Sequence, residues 1–198
     1  MVGEAARAAL LGLFLGAATG IPLGVVNVSV VEAARRTGRR HATMIGLGGA
    51  LADAIHAGLA FAGLAPLVAA QPVVMRALAI ASAVIVIGYA IAVWARRDAP
   101  PREPARGRGF ATGLALTLPN PAPLVAWIAV ATALLPGASI PVGIVGAIGV
   151  GLGSAAWFAL LAAIAARARP SPMMGRWLPQ VVAVALAGIA AVAIVRVW

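Results

Sequence analysis

Asp53 and His56 are the residues of this sequence whose types and spacing most directly suggest chemistry. They lie three positions apart within the apolar run 42–68, so on a helix both side chains project from one face. An ionised carboxylate in the middle of a membrane helix costs about 3 kcal/mol, and a compensating partner is therefore expected. A carboxyl and an imidazole this close are able to exchange a proton. The alternative is a structural hydrogen bond that holds Asp53 neutral.

Proline and asparagine occur together at two further points, each inside an apolar run. The first point contains Pro22 and Asn27. The second contains Asn120 and Pro121. A proline removes one amide donor and frees a carbonyl one turn earlier, and such groups cannot face lipid. We interpret both points as helix breaks that line a substrate site, where the resuming half-helix offers free amides to an anion such as a carboxylate. Otherwise the prolines only kink the helices and the asparagines bond across them.

The elements that hold these residues are predicted to be transmembrane helices. Hydrophobic residues make up 63% and charged residues 10% of the 198 positions, which leaves too few polar side chains to coat a soluble domain. Lipid cannot satisfy backbone groups, so apolar runs of about 20 residues or more are expected to cross a bilayer as helices. Six such runs occur, at 8–31, 42–68, 73–94, 110–135, 140–166 and 177–197.

A polar stretch rich in arginine and proline, 95–109, divides the single transmembrane domain 1–198 near its middle. It separates a first three-helix half, 8–94, from a second half, 110–198. Because each half has an odd number of spans, a repeated second half lies inverted in the membrane, as in many secondary transporters. The predicted fold class is an all-α integral membrane protein with six transmembrane helices arranged as two inverted three-helix repeats.

All 15 positively charged residues are arginines, and they are concentrated in alternate connections between the runs. Only Arg7, Arg76 and Arg196 fall on the other side. By the positive-inside rule the arginine-rich connections, including the loop 95–109, lie in the cytoplasm, and both termini lie outside the plasma (inner) membrane. The arginines do not line one face, and no stacking aromatics accompany them. Nucleic acid is therefore not expected as a partner despite the net charge of +10.

Glycines recur at four-residue spacing in the first and fifth runs. Those on one face of the first run are Gly12, Gly16, Gly20 and Gly24, and those of the fifth are Gly149 and Gly153. Small residues at this spacing allow membrane helices to approach closely, and we predict a packing role for them.

Several kinds of site are not expected. The absence of cysteine and the presence of only two histidines exclude disulfides, iron–sulfur clusters and a Cys/His zinc site. Neither a metal site nor a cofactor is predicted. No Ser–Lys, Ser–His, paired-Asp or His-rich set occurs at helical spacing in the runs, and no catalytic residue is assigned. An intramembrane enzyme remains an alternative only if folding brings together catalytic residues that are distant in the sequence.

The sequence resembles the LysE/RhtB superfamily of small amino-acid exporters over nearly its whole length. The likeness is strongest at 48–56, where glycines, Asp53 and His56 follow in the family's order. It is also clear at 118–121, which is similar to the family's Asn-Pro in the fourth helix. The arginine-rich turn 34–40 before the second helix fits as well. The resemblance implies proton-driven export of amino acids or related small metabolites, often from a homodimer.

The sequence departs from this family in the two places most exposed to a substrate. The usual Pro-Gly-Pro of the first helix is replaced by the segment 20–24, in which only Pro22 matches. After the Asn-Pro, many members have a lysine or glycine where Ala122 and Pro123 stand. These departures argue against a basic amino acid as the substrate.

We therefore predict a secondary transporter whose partners are protons, the lipid bilayer and an amino acid or a derivative of one. The predicted substrate-binding residues are Pro22, Asn27, Asn120 and Pro121, and the predicted proton-coupling residues are Asp53 and His56. One alternative is a non-transporting scaffold or assembly protein in which these side chains only hold helices together. Another is a metal-ion efflux relative.

Overall fold

The structure is a computed structural model that describes residues 2–20, 24–95 and 107–168, together with Val184 and Gly188. Within these ranges the chain forms helices and no strand. The helices are α1 (Val2–Gly20), α2 (Val25–Arg36), α3 (Arg39–Phe61), α4 (Ala65–Ala69), α5 (Pro72–Ala95), α6 (Arg108–Thr117), α7 (Pro121–Leu134) and α8 (Ile140–Arg167).

Four of these helices, α1, α3, α5 and α8, are long and apolar enough to cross a membrane. The pair α6 and α7 makes a fifth candidate when it is counted as one span bent by 67°. Large apolar side chains such as Phe14, Val84 and Leu152 are exposed on these helices, as expected for a surface in contact with lipid. The protein is thus an all-helical multi-pass membrane protein. The sixth predicted run, 177–197, lies outside the described residues except for Val184 and Gly188, which are helical.

The helix boundaries follow the predicted runs, and the first and fourth runs are each divided as their prolines predict. In the first run α1 ends at Gly20 and α2 begins at Val25. The second run differs from its prediction because α3 ends at Phe61 instead of continuing through residue 68. Gly63 turns the chain there with a φ of 75°, a left-handed conformation that glycine adopts without strain, and the short α4 follows.

The helices α3 and α8 form an antiparallel pair at the centre of the described bundle. Gly46 of α3 lies against Phe158 of α8, and Gly58, three turns later, lies against Ala147. Each central helix has a parallel neighbour. The first is α1, which packs along α8, and the second is α6, which packs along α3. This arrangement places one of the two broken helices beside each member of the central pair.

Glycines make these parallel contacts close, which confirms their predicted packing role. A Cβ at Gly12 would collide with the carbonyl oxygen of Gly146, and one at Gly16 would collide with that of Val150. The contact is reciprocal, because a Cβ at Gly153 would collide with the carbonyl oxygen of Leu13. Backbone therefore packs directly on backbone, as small residues allow in membranes. Gly24 lies outside α1, at the N-cap of α2.

Two apolar clusters fill the space around the central pair. One joins α2, α3, α5, α6 and α8 and includes Val30, Ile45 and Phe158. The other joins α3, α4, α7 and α8, and in it the rings of Phe61 and Trp127 meet edge to face with centroids 6.0 Å apart. This geometry suits the quadrupoles of two aromatic rings. Through Leu124 and Trp127, the second cluster packs α7 against the central pair after the 67° bend from α6.

Candidate functional site

A cavity of about 520 Å³ lies where the two helix breaks meet. Its wall contains the end of α1, the start of α2, the end of α6 and the start of α7. Three of the predicted site residues, Asn27, Asp53 and Asn120, line it together. The folding of the chain therefore brings both breaks and the intramembrane acid to one place.

Asp53 contributes the one ionisable side chain among the described residues of the cavity wall. Its Oδ2 accepts a hydrogen bond of 2.9 Å from the Ser154 hydroxyl on α8. A hydroxyl can donate to an ionised carboxylate or accept from a protonated carboxyl, so this partner tolerates both forms of the acid. The carboxyl is thus held in place at the cavity without being fixed in one charge state.

His56 lies next to the second break and not on the cavity wall. Its Nε2 is 3.1 Å from the carbonyl oxygen of Leu118, just after α6 ends. Because a carbonyl only accepts, Nε2 carries the hydrogen and donates. The other ring nitrogen, Nδ1, is buried and has no hydrogen-bond partner among the described residues. His56 therefore supplies a donor to the Leu118 carbonyl, whose usual helical partner, the Ala122 amide, is bonded to Asn120 instead.

The predicted direct pairing of Asp53 with His56 is not seen, because each side chain has a separate partner. Three residues on a helix turn the second side chain about 60° from the first. That angle points Asp53 toward α8, where Ser154 lies, and His56 toward the end of α6. The hydrogen-bonding role that each residue has in the structure is therefore independent of the other.

Asn27 bridges the first break. Its Nδ2 donates to the carbonyl oxygen of Gly20 over 2.7 Å, and its Oδ1 accepts from the Trp157 indole over 3.0 Å. The side chain therefore ties the end of α1 to the start of α2 and both to α8. This contact is the one expected in the alternative interpretation, in which the asparagines bond across the breaks, and the substrate-binding role of Asn27 stays a prediction.

Asn120 caps α7, and its Oδ1 accepts a 3.0 Å hydrogen bond from the amide of Ala122. Pro121 and Pro123 occupy the first and third positions of this helix and have no amide hydrogen. The expectation that α7 offers free amides to an anion is therefore wrong, because the one amide among its first three residues is already bonded. At the start of α2, where Gly24 is the N-cap, the expectation stays a prediction.

The other two predicted substrate-binding residues are prolines. Pro121 is buried at the start of α7 and does not line the cavity. Pro22 lies outside the described residues. Across the described ranges, no group of three or more His, Cys, Asp and Glu side chains is arranged to hold a metal ion.

The LysE type translocator family matches residues 17–196 of the chain. The chain belongs to this family. No curated protein and no solved structure matches it significantly. Membership confirms the resemblance found at 48–56 and 118–121, and it implies export of small molecules such as amino acids. The family consists of transporters and not of enzymes.

Two functional candidates of the translocator escaped the sequence reasoning. Ser154 has no base near it in sequence, and it meets Asp53 only because α3 and α8 pack together, 101 positions apart. Trp157 was not among the predicted site residues, and its indole is the hydrogen-bond donor to Asn27. The sequence contains a weak signal for both residues, because Ser154 and Trp157 come shortly after Gly149 and Gly153, the glycines of α8 that pack against α1. Trp127, also absent from the predicted site residues, lines the cavity.

Proposed function

We propose that the translocator exports amino acids or related small metabolites across the plasma membrane in exchange for protons. One observation carries the proposal: the cavity between the two helix breaks contains Asp53, an acid placed where lipid-facing helices would not tolerate it. A transporter needs a site that can open to either side and a group that changes charge during the cycle. The cavity and Asp53 provide these two parts in a chain of a transporter family.

Two inverted three-helix repeats, 8–94 and 110–198, joined by the cytoplasmic loop 95–109, are the architecture we propose. The packing supports this. A two-fold axis that exchanges α3 with α8 also exchanges α1 with α6, and each of those helices lies parallel to its central partner and ends in a break. Rocking of one repeat against the other would then open the cavity alternately to the two sides.

We assign substrate binding to Asn27 and Asn120, which line the cavity, and to Pro22 and Pro121 at the two breaks. Proton coupling is assigned to Asp53 on the cavity wall, with His56 beside the second break as a second candidate. The wall is mainly apolar, with Trp127 and Phe158 among its members. No cationic side chain is found among the wall residues that the structure describes. This lining suits a small zwitterion whose side chain is uncharged.

Filling the cavity tests whether it is the transport route. We expect proteoliposomes that contain the wild-type protein to release at least one member of a labelled amino-acid panel when a pH gradient is imposed. Ala126 lines the cavity from α7, and Ala126→Trp should reduce this efflux to near the rate of empty liposomes. The control, Ala129→Trp, makes the same change at an exposed position of α7 outside the cavity wall and should export normally. Unchanged efflux by Ala126→Trp would mean that substrate takes another route.

The orientation of the translocator is tested independently of its substrate. Because the arginine-rich connections are expected in the cytoplasm, alkaline phosphatase fused after Trp198 should be active, whereas a green fluorescent protein at the same site should be dark. The same reporters fused within the loop 95–109 should give the opposite results. A phosphatase active only in the loop fusion would reverse the proposed topology.

A further inference from the structure

The hydroxyl of Ser154 lies between acceptors on two other helices. It is 2.9 Å from Oδ2 of Asp53 on α3 and 3.1 Å from the carbonyl oxygen of Gly16 on α1. Ser154 is fully buried, with 0% of its surface exposed, so water does not substitute for either partner. A hydroxyl has one hydrogen, and it can donate a full hydrogen bond to only one of these oxygens at a time.

The charge of Asp53 decides which oxygen receives that hydrogen. An ionised carboxylate only accepts, so Ser154 donates to Asp53 and its bond to Gly16 is lost. When the carboxyl takes up a proton from the cavity, its own O–H donates to the Ser154 oxygen. The serine hydrogen is then free to turn to the Gly16 carbonyl, and a continuous chain of hydrogen bonds joins α3, α8 and α1. No covalent bond other than that to the incoming proton is made.

The chain of hydrogen bonds ends at Gly16, close to the break between α1 and α2. Gly16 lies in the last turn of α1, which ends at Gly20, and the carbonyl of Gly20 accepts the hydrogen bond from Asn27 that bridges the break. A bond that holds Gly16 to α8 therefore fixes the end of the helix that borders the cavity. Loss of the bond removes one tie between this end and α8, while the backbone contacts of Gly12 and Gly16 with α8 remain.

We propose that Ser154 is a positioning residue that transmits the protonation of Asp53 to the last turn of α1. This inference rests on the proton-coupling role of Asp53 proposed above. It adds that the last turn of α1 is the part of the protein that moves when Asp53 gains or loses a proton. Protonation draws the end of α1 onto α8, and ionisation releases it.

Other charged groups do not compete with this switch. On α3 itself, His56 is bonded to Leu118, and Arg39, Arg40 and His41 lie in the first turn. The helix α7 carries no ionisable side chain. On the other helices packed around Asp53 these groups lie within about two turns of a helix end, away from the cavity: Glu4, Arg7, Glu32, Arg35, Arg36, Arg108 and Arg167.

The switch can be measured without a substrate, because the sequence contains no cysteine. We would introduce Thr19→Cys, at a cavity-lining position in the last turn of α1, and follow its reaction with a thiol reagent in proteoliposomes across a range of pH. The Thr19 hydroxyl donates to the Leu15 carbonyl oxygen over 2.8 Å and lies 3.3 Å from that of Gly16, and the thiol keeps a weak donor at this position. Thr37→Cys, on the exposed turn between α2 and α3, corrects for titration of the thiol itself. After this correction we expect labelling to be roughly fivefold faster when Asp53 is ionised, a population shift that one ordinary hydrogen bond supports.

The same measurement is repeated in three further variants, each carrying Thr19→Cys. Asp53→Asn and Ser154→Ala should both give labelling that no longer depends on pH, and Ser154→Thr, which keeps the hydroxyl, should restore the dependence. The inference is overturned if Ser154→Ala titrates like the parent, or if the parent itself does not titrate. If Ser154→Ala does not fold, retention of the pH dependence by Asp53→Asn still overturns it.

Efflux separates failure of this inference from failure of the proposed function. If Asp53→Asn abolishes proton-driven efflux while Ser154→Ala exports with the parent's pH profile, the coupling role of Asp53 holds and the relay through Ser154 is wrong. If Asp53→Asn exports like the parent, the proposed coupling itself is wrong.

Discussion

Asp53→Asn is expected to abolish proton-driven efflux while leaving exchange of substrate across the membrane. Asparagine has nearly the volume of the protonated acid, and its amide can donate to the Ser154 oxygen as the protonated carboxyl would. The variant therefore imitates the protonated carrier but can never release a proton. Net export requires that release, whereas one-for-one exchange of internal for external substrate does not. Efflux under an imposed pH gradient should fall to the rate of empty liposomes, and exchange should stay within a few-fold of wild type.

A matched control is available in the same sequence. Asp98→Asn makes the same chemical change in the polar loop 95–109, outside the apolar runs, and it should leave both activities unchanged. Gradient-driven efflux by Asp53→Asn at the wild-type rate would remove Asp53 from the coupling mechanism and strengthen the view that its contact with Ser154 is structural. Loss of exchange together with efflux would instead indicate that the carboxylate binds substrate.

The sequence was sufficient to predict the parts of the fold that depend on local chemistry. Apolar runs predicted the helices, and the prolines near Gly20 and Asn120 predicted where two of them end, because a missing amide acts within one turn of its own position. Asp53 was identified for a similar reason, since a lone acid in an apolar helix is costly wherever that helix packs. None of these inferences required knowledge of which helices are neighbours.

The contacts that define the cavity could not be predicted in this way. Ser154 acquires its partners only when α8 packs against α3 and α1, and Trp157 only when α8 packs against α2, and a single sequence does not determine that arrangement. At α7 the general rule that helix starts attract anions failed, because Pro121 and Pro123 remove the donors on which the rule depends. The prolines were visible in the sequence, but their effect was assigned to the break alone and not to the first turn that follows it.

Gly113→Ala is expected to prevent correct packing of α6 and to give little folded protein. A Cβ at this position would collide with the carbonyl oxygen of Ile45 and lie 2.9 Å from the amide nitrogen of Gly49. Both obstacles are backbone atoms of a central helix, so no side chain can turn aside to make room. Overpacking of this kind costs about 1–3 kcal/mol or more, a large fraction of the stability of a typical domain.

Gly88→Ala provides the comparison, because a Cβ at Gly88 on α5 has no atom of the described residues within 4 Å. An added methyl there should be neutral, or should stabilise the helix by about 0.5–1 kcal/mol through reduced backbone freedom. Size-exclusion profiles recorded after heating in detergent would rank the variants, with Gly113→Ala aggregating at a lower temperature than wild type and Gly88→Ala at the same temperature or a higher one. If both glycines tolerated alanine equally, α6 could not lie as close to α3 as the structure has it. The relation of α6 to α3 and of α1 to α8, on which the inverted repeat is proposed, would then lose its main support.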